Sequence, residues 1–466
     1  MNTEEPGGTF RDKIATVDRT GKRLWVYPKK VTGKFFKART VFSWFLLAFL
    51  FGGPFIRIGD QPLLMANVLE RKFVIFGQVF WPQDFFIFAI GMVAMVVFIA
   101  LFTVVYGRLF CGWVCPQTIF MEMLFRKIEY LIDGDYKQQQ ALAKRKWDTH
   151  KIVRRVSKHA LFLLLSFLIG NTFLAYLVGS DELFNMIKAG PGEYLATFIA
   201  IAIFSGLFYA VFAWFREQVC TVICPYGRLQ GVLLDRKSVV VAYDYVRGED
   251  RAKIRKGEDR QAAGKGDCID CNQCVAVCPT GIDIRNGTQL ECTNCTACID
   301  ACNHMMGSVG LPKGLIRYAS EDEIAKGEKF RFTPRMKAYS VVLTVLIGVF
   351  VVLLATRTDI SSNITRASGS TFNKMADGRY NNIYNIKIIN KTNSDLPLEI
   401  RVLKGDAELR LIGTSLSVSS QDEVTGTFML IMEKSDIQML ETPISIGIYS
   451  DDELIDTEST TFLGPV

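Results

Sequence analysis

The chain has 466 residues, room for two or three domains, and a formal charge of +7 that is unevenly spread. Residues 1–37 carry 9 Lys and Arg against 4 Asp and Glu, whereas 357–466 carry 10 against 16. A basic front and an acidic tail exclude a nucleic-acid binder with one electropositive face, and without a Walker or dinucleotide fingerprint ATP and NAD binding have no support.

Residues 1–37 read as a basic cytoplasmic leader. The first apolar run starts only near Val41, so no cleavable signal peptide is expected. Five stretches approach the roughly 20 residues needed to cross a hydrocarbon layer of about 30 Å. They are 41–56 (interrupted by Gly52, Gly53 and Pro54), 85–106, 160–178, 194–215 and 338–355. A buried core helix is the alternative for any one of them, but 85–106 would then place over twenty uncharged residues in a soluble core. Segment 107–158 has 11 basic residues against 5 acidic, and the short 179–191 loop has one against two. Lys and Arg concentrate in cytoplasmic flanks. The N-terminus, 107–158 and 216–337 are therefore expected on the cytoplasmic side of the membrane, with 57–84, 179–191 and the tail outside.

The membrane domain, 38–243, holds four spans and a repeated motif. "GRLFCGWVCPQTIF" places Cys111 and Cys115 before Pro116, and "REQVCTVICPYGRLQ" places Cys220 and Cys224 before Pro225. Each pair sits at the inner end of a span, with Arg108 or Arg228 nearby to favour thiolate over thiol. If the run is helical, a spacing of four puts both thiols on one face, and proline ends the helix straight after. Two pairs brought together would give four thiolates: a third cluster, a copper or other thiophilic site, or a thiol–disulfide relay. Small apolar filling at helix ends is the bland alternative; the repetition favours function.

Residues 244–266 are charged and poor in apolar side chains, and read as an exposed linker. Next come Cys268, Cys271, Cys274 and Cys278, then Cys292, Cys295, Cys298 and Cys302. Both runs have the C-x2-C-x2-C-x3-C spacing that holds [4Fe-4S] clusters in bacterial ferredoxins, where the fourth cysteine ligates the other cluster. Crossed ligation assigns Cys268, Cys271, Cys274 and Cys302 to one cluster, and Cys278, Cys292, Cys295 and Cys298 to the second. Zinc sites usually pair two near cysteines with two distant ones, which fits poorly. The reducing cytoplasm disfavours structural disulfides. Asn303 stands where a proline often follows the last cysteine. The ferredoxin-like domain is expected over 267–312, with a connector at 313–337. His150 and His159 suit interfacial roles. His304, with Met305 and Met306, reads as packing against the cluster domain rather than as a copper site.

After the fifth span, 356–466 turns to short alternating runs such as "NIYNIKIINKT" and "GTFMLIMEK" between Asn, Asp, Gly and Ser turns. These predict an antiparallel β-sandwich without cysteines or a catalytic constellation.

The paired C-x3-C-P motifs, the double ferredoxin run, five spans and a terminal β-domain resemble the cytochrome c oxidase accessory protein family, which serves assembly of cbb3-type oxidases. The resemblance implies two [4Fe-4S] clusters on the eight cysteines from Cys268 to Cys302 and an immunoglobulin-like outer domain. It also implies reduction of cupric to cuprous ion, with Cys111, Cys115, Cys220 and Cys224 matching the family's membrane-proximal motifs. Partners expected on that basis are membrane lipid, oxidase subunits or copper-delivery proteins at the outer domain, and an unidentified electron donor. The wider likeness to quinol-linked electron-transfer subunits leaves that role open, as it does a scaffold with structural clusters.

Overall fold

The computed structural model describes residues 15–465 apart from 19, 60, 69–70, 256–258, 261, 359, 368–370, 393, 414–415 and 438; the side chains of Gln83 and Arg228 also lie outside the description. Most of the leader's first half is thus outside it. Two compact units result, 1–70 with 90–348, and 71–89 with 349–466.

Among the described residues, five helices are long and apolar enough to cross a membrane: Lys34–Gly52, Phe85–Tyr106, Thr149–Val178, Leu195–Phe215 and Pro334–Ala355. The second matches its expected limits and the others shift for local reasons. The first begins at Lys34 rather than Val41, because the Asp300 carboxylate accepts from the backbone N–H groups of Phe35 (3.3 Å) and Phe36 (2.7 Å). It stops at Gly52, ahead of Gly53 and Pro54. The third begins at Thr149 rather than 160, capped by Asp148, whose side chain accepts from Lys151 N–H at 2.9 Å. At about 1.5 Å per residue it exceeds the hydrocarbon layer, so its basic first turns stand clear of it. The fifth starts on Pro334, a residue suited to the first helical turn.

Small residues set the packing of the third and fourth spans. A Cβ on Gly170 would meet Ser205 Oγ at 2.9 Å, so glycine permits the close approach. Beside it, Phe125 and Phe212 stack with ring centroids 4.5 Å apart in a cluster that includes Phe120 and Phe162. Phe120–Phe125, Val211–Phe215 and Val219–Ile223 are π-helical turns, a form concentrated at functional sites.

The cysteine-rich segment is closed by a two-stranded antiparallel ladder, β1 (Val240–Tyr243) with β2 (Ile316–Ala319), in register from Val240↔Ala319 to Tyr243↔Ile316. The folded domain is therefore wider than 267–312. The expected linker is pinned as well. Arg247 donates to Asp267 and to the carbonyls of Pro312 and Lys313, and Arg260 donates to the carbonyls of Ala252, Gly266 and Cys268. Composition reads such arginines as solvated, but here backbone acceptors satisfy them. The leader docks too, with Lys29 N–H donating to Ala276 C=O at 2.7 Å.

The second unit contains an immunoglobulin-like sandwich. Its strands are β3 (Ile360–Arg366), β4 (Tyr380–Asn390), β5 (Leu396–Lys404), β6 (Glu408–Ile412), β7 (Leu416–Val418), β8 (Glu423–Met432), β9 (Glu441–Ser450) and β10 (Glu453–Leu463). One sheet runs β6-β8-β4-β3 and the other β7-β5-β9-β10, with antiparallel pairings. Alternation turns Tyr384, Ile386 and Ile388 of β4 inward against Ile444, Ile446 and Ile448 of β9, each buried. Each such side chain contributes about 1.5–3 kcal/mol.

Candidate metal centre

The two cysteine runs curl in the same way. Asp270 and Asn272 in the first run, and Asn294 and Thr296 in the second, all have positive φ (50°, 57°, 53° and 66°). They occupy matching places, two residues after the first cysteine and one after the second. Asn and Asp tolerate the left-handed region, but a β-branched Thr there is strained, as happens where geometry serves a site. Arg285 locks the first curl, donating to Asp270 (2.7 Å), Asn272 (2.6 Å) and Asp283 (2.6 Å). Spacing gave no signal for this residue.

Two small hollows result. Cys268, Cys271, Cys274 and Cys302 line one, with Met306 and Arg285 in its wall. Cys278, Cys292, Cys295 and Cys298 line the other, with Cys274 at their shared border. The last cysteine of each run therefore stands with the first three of the other. None of the twelve cysteines is paired in a disulfide. Among the described residues, no three His, Cys, Asp or Glu side chains converge closely enough for a single metal ion. A ring of four thiols around a hollow instead suits a cluster with one outward position per iron.

Burial pushes the Cys274, Cys292 and Cys302 thiols up to about 12 and Cys278 to about 11. Thiolates in so dry a place need a positive centre to share their charge. Backbone N–H groups of Thr280, Asn294 and Ile316 already favour negative sulfur at Cys278, Cys292 and Cys302. His304 is exposed while Met306 is buried in the first hollow's wall, so the "HMM" residues do not converge.

The C-x3-C-P pairs are not each on one continuous helix, contrary to expectation. Cys111 lies in Leu109–Trp113, whereas Cys115 precedes Pro116 as the cap of the next helix, Pro116–Ile119. Cys220 lies in the π-turn and Cys224 caps Pro225–Leu233 in the same manner. A residue that caps a Pro-started helix must be extended, which breaks the run between the two thiols. The two motifs nevertheless meet: a Cβ on Gly227, in the helix that Cys224 caps, would lie 2.6 Å from Arg108 Nη2, and Cys220 feels the charges of Cys115, Cys111 and Cys224.

Their environment also differs from expectation. Burial raises the Cys111 thiol to about 11 and Cys220 to about 12, outweighing the opposing pull of Arg108. The expected thiolate bias is therefore absent at these two positions, and the Arg228 side chain lies outside the described residues. Cys111 Sγ donates to Gln230 Oε1 at 2.9 Å, while Gln230 Nε2 donates to Thr103 Oγ1 at 3.2 Å. Arg108 donates to the same Gln230 oxygen (3.3 Å) and to Leu290 C=O, next to the second run. Gly112 explains this proximity: a Cβ there would lie 2.5 Å from Thr293 O, and one on Gly107 (φ +57°) 2.6 Å from Val240 Cγ1. The first motif thus packs directly on the Cys292–Cys295 loop.

A buried ion network holds the two motifs together. Glu129 accepts from Arg216 Nη1 (2.6 Å) and Nη2 (2.9 Å), and Lys158 Nζ donates to Asp133 at 2.9 Å. Burial alone would raise the Glu129 pKa, but Arg216, then Lys158 and Arg126, hold it down to about 2 against an ordinary 4.5. The unfolded state therefore binds more protons below pH 4.5, so this contribution is complete above that value and fades as pH falls toward 2. Glu129→Gln, which removes the bidentate partner of Arg216 and leaves it only Glu217 at 3.5 Å, should cost up to about 3–5 kcal/mol near neutrality. Thermal denaturation of wild type and variant should show that gap narrowing from about pH 5 toward pH 3; a gap independent of pH would count against this origin.

Comparisons with known proteins identify relatives of three parts of the chain. A 4Fe-4S dicluster domain model matches residues 215–321, a 4Fe-4S binding domain model matches 88–148, and an Ig-like fold at the C-terminal of FixG matches 350–465. The nitrogen fixation protein FixG of Rhizobium meliloti is 34% identical over 79% of this chain and 77% of its own length. RdxB of Cereibacter sphaeroides is 32% identical over 89% and 90%, and RdxA of the same organism 33% over 83% and 84%.

Proposed function

The chain belongs to the family of FixG, RdxA and RdxB, iron–sulfur electron-transfer proteins of the membrane, and from that premise we propose that it reduces Cu(II) to Cu(I) for assembly of a cbb3-type cytochrome oxidase. The observation that carries this reading is the packing of the first motif, through Gly112, against Thr293 between Cys292 and Cys295, with Cys220 of the second motif lining a hollow beside the same Thr293. We assign Cys268, Cys271, Cys274 and Cys302 to one [4Fe-4S] cluster and Cys278, Cys292, Cys295 and Cys298 to the other, as the two thiol-lined hollows suggest. When bound, each cluster supplies one-electron redox chemistry.

The chain's own residues then have distinct work. Gln230 and Arg108 orient Cys111 and join the quartet to the second run. Copper arriving as substrate meets soft sulfur donors, which favour Cu(I), and thiol protons leave as metal–sulfur bonds form. The step consumes one electron per copper, delivered by the reduced protein. To test it, the protein is purified anaerobically, reduced, freed of excess reductant and mixed with Cu(II) and a Cu(I) chelator. Reoxidation matched by trapped Cu(I) is expected; partner binding without any Cu(I) would favour the scaffold.

One finding favours a second reading. The 4Fe-4S binding domain match over 88–148 includes Cys111 and Cys115, so the quartet is also a candidate for a third iron–sulfur centre. Iron near eight per chain supports two clusters, and iron near twelve supports three.

We also place 216–337 in the cytoplasm and 356–466 outside, where the sandwich would meet oxidase subunits or copper-delivery proteins. Basic residues around the short loops support that orientation. A cysteine introduced as Ser435→Cys, on an exposed turn of the sandwich, should react in intact cells with a membrane-impermeant thiol reagent. Reaction only after lysis would reverse the orientation.

A further inference from the structure

A cavity of about 370 Å³ adjoins the second thiol-lined hollow, with Cys295 in its wall. Its other walls come from the docked leader, the start of the first span, the helix after the first C-x3-C-P motif, and Val277, Pro279 and Ala297 of the cysteine runs. Arg39, one turn into the first span, is 4% exposed, and its Nη2 has no hydrogen-bond partner. Among the described residues no carboxylate pairs with it. The cavity's single carboxylate, Glu122, is engaged by Arg126 at 2.9 Å. Lys29, Lys30 and Lys127 add three further cations, of which Lys29 donates to Gln273 Oε1 at 2.8 Å. Burial, then Lys30, lowers the Lys127 pKa, as expected where cations crowd out of water.

A buried guanidinium without a partner is costly, and a planar fork of N–H donors matches an oxyanion. A neutral quinol supplies no charge to offset it. Phe36 and Leu131 make part of the lining apolar, and Phe36 and Arg39 belong to the opening turns of a membrane-spanning helix, the level at which lipid headgroups lie.

We propose that this cavity binds a phosphate oxyanion, the headgroup of an anionic phospholipid, with Arg39 as its principal donor and Lys30 and Lys127 in support. The site stands beside Cys295, so an occupant places negative charge next to the second cysteine set.

The test uses the anaerobically purified full chain with its iron in place, delipidated in detergent and titrated with phosphatidylglycerol, phosphatidylcholine or inorganic phosphate. Native mass spectrometry counts retained lipid, and thermal midpoints are read in nanodiscs of each lipid. Phosphatidylglycerol should bind wild type at least tenfold more tightly than it binds Arg39→Gln, and should raise the thermal midpoint of wild type alone. In phosphatidylcholine, Arg39→Gln should be as stable as wild type or more so, because it removes an unpaired buried cation. If Arg39→Gln fails to fold, Lys127→Gln should lose phosphatidylglycerol affinity several-fold. Equal destabilisation of Arg39→Gln in both lipids, or undiminished phosphatidylglycerol binding by the folded variants, would overturn the site. Stabilisation by inorganic phosphate with no preference for phosphatidylglycerol would overturn the lipid assignment.

Discussion

Replacing Cys302 by Ala should remove the same iron–sulfur signal as replacing Cys271, although Cys302 belongs to the other sequence run. Replacing Cys278 should match replacing Cys292 in the same way. The expectation comes from the two hollows, each of which takes three thiols from one run and its fourth from the other. Each single variant should fall from about eight irons per chain to about four. Electron paramagnetic resonance of the reduced, anaerobically purified variants then sorts them by the spectrum that survives. Cys271→Ala and Cys302→Ala should share one surviving spectrum, and Cys278→Ala and Cys292→Ala the other. If Cys302→Ala instead resembles Cys292→Ala, ligation is not crossed and each run holds its own cluster. Complete loss of iron in all four would show that the clusters fold as one cooperative unit; iron counted in the corresponding Ser variants, which keep an oxygen donor, would then separate the pairs.

The second large effect concerns the quartet. Cys111→Ser with Cys115→Ser should leave the iron of the ferredoxin-like domain unchanged and lower the rate of Cu(II) reduction by at least about a hundredfold, since disturbing even the groups that support metal ligands costs about 10–100-fold. The double Ala variant should lose reduction equally. If these cysteines only fill helix ends, Ala should be harmless to both quantities, because it removes little volume and no ligand. Iron falling by about four in both variants, with the other eight retained, would identify a third centre. Loss of all iron would mean that the motif supports folding of the cluster domain. The contact of Gly112 with Thr293 makes that outcome physically accessible, which is why iron and copper reduction must be measured on the same preparation.

Much of this molecule was legible from local pattern. Thiol spacing is written in neighbouring residues because one loop must wrap one cluster, and the second span carries its whole length in one uncharged run. The alternation in "NIYNIKIIN" likewise states which side chains of β4 face inward. Span ends were less legible, since Asp300, far along the chain, starts the first helix and a charged stretch extends the third.

What the sequence determined by itself was therefore the inventory of ligands, spans and strands, whose periodicities repeat over a few residues. Only the tertiary structure decided how they meet. It brought Cys111 and Cys115 to Cys220 and Cys224, set Gly107 and Gly112 against the second run, and tied the assumed linker to backbone carbonyls. It also let burial outweigh Arg108 at Cys111, and left Arg39 unpaired beside Cys295. The reason is physical: spacing fixes direction along the chain, whereas desolvation and charge pairing depend on groups that only packing brings within a few ångströms.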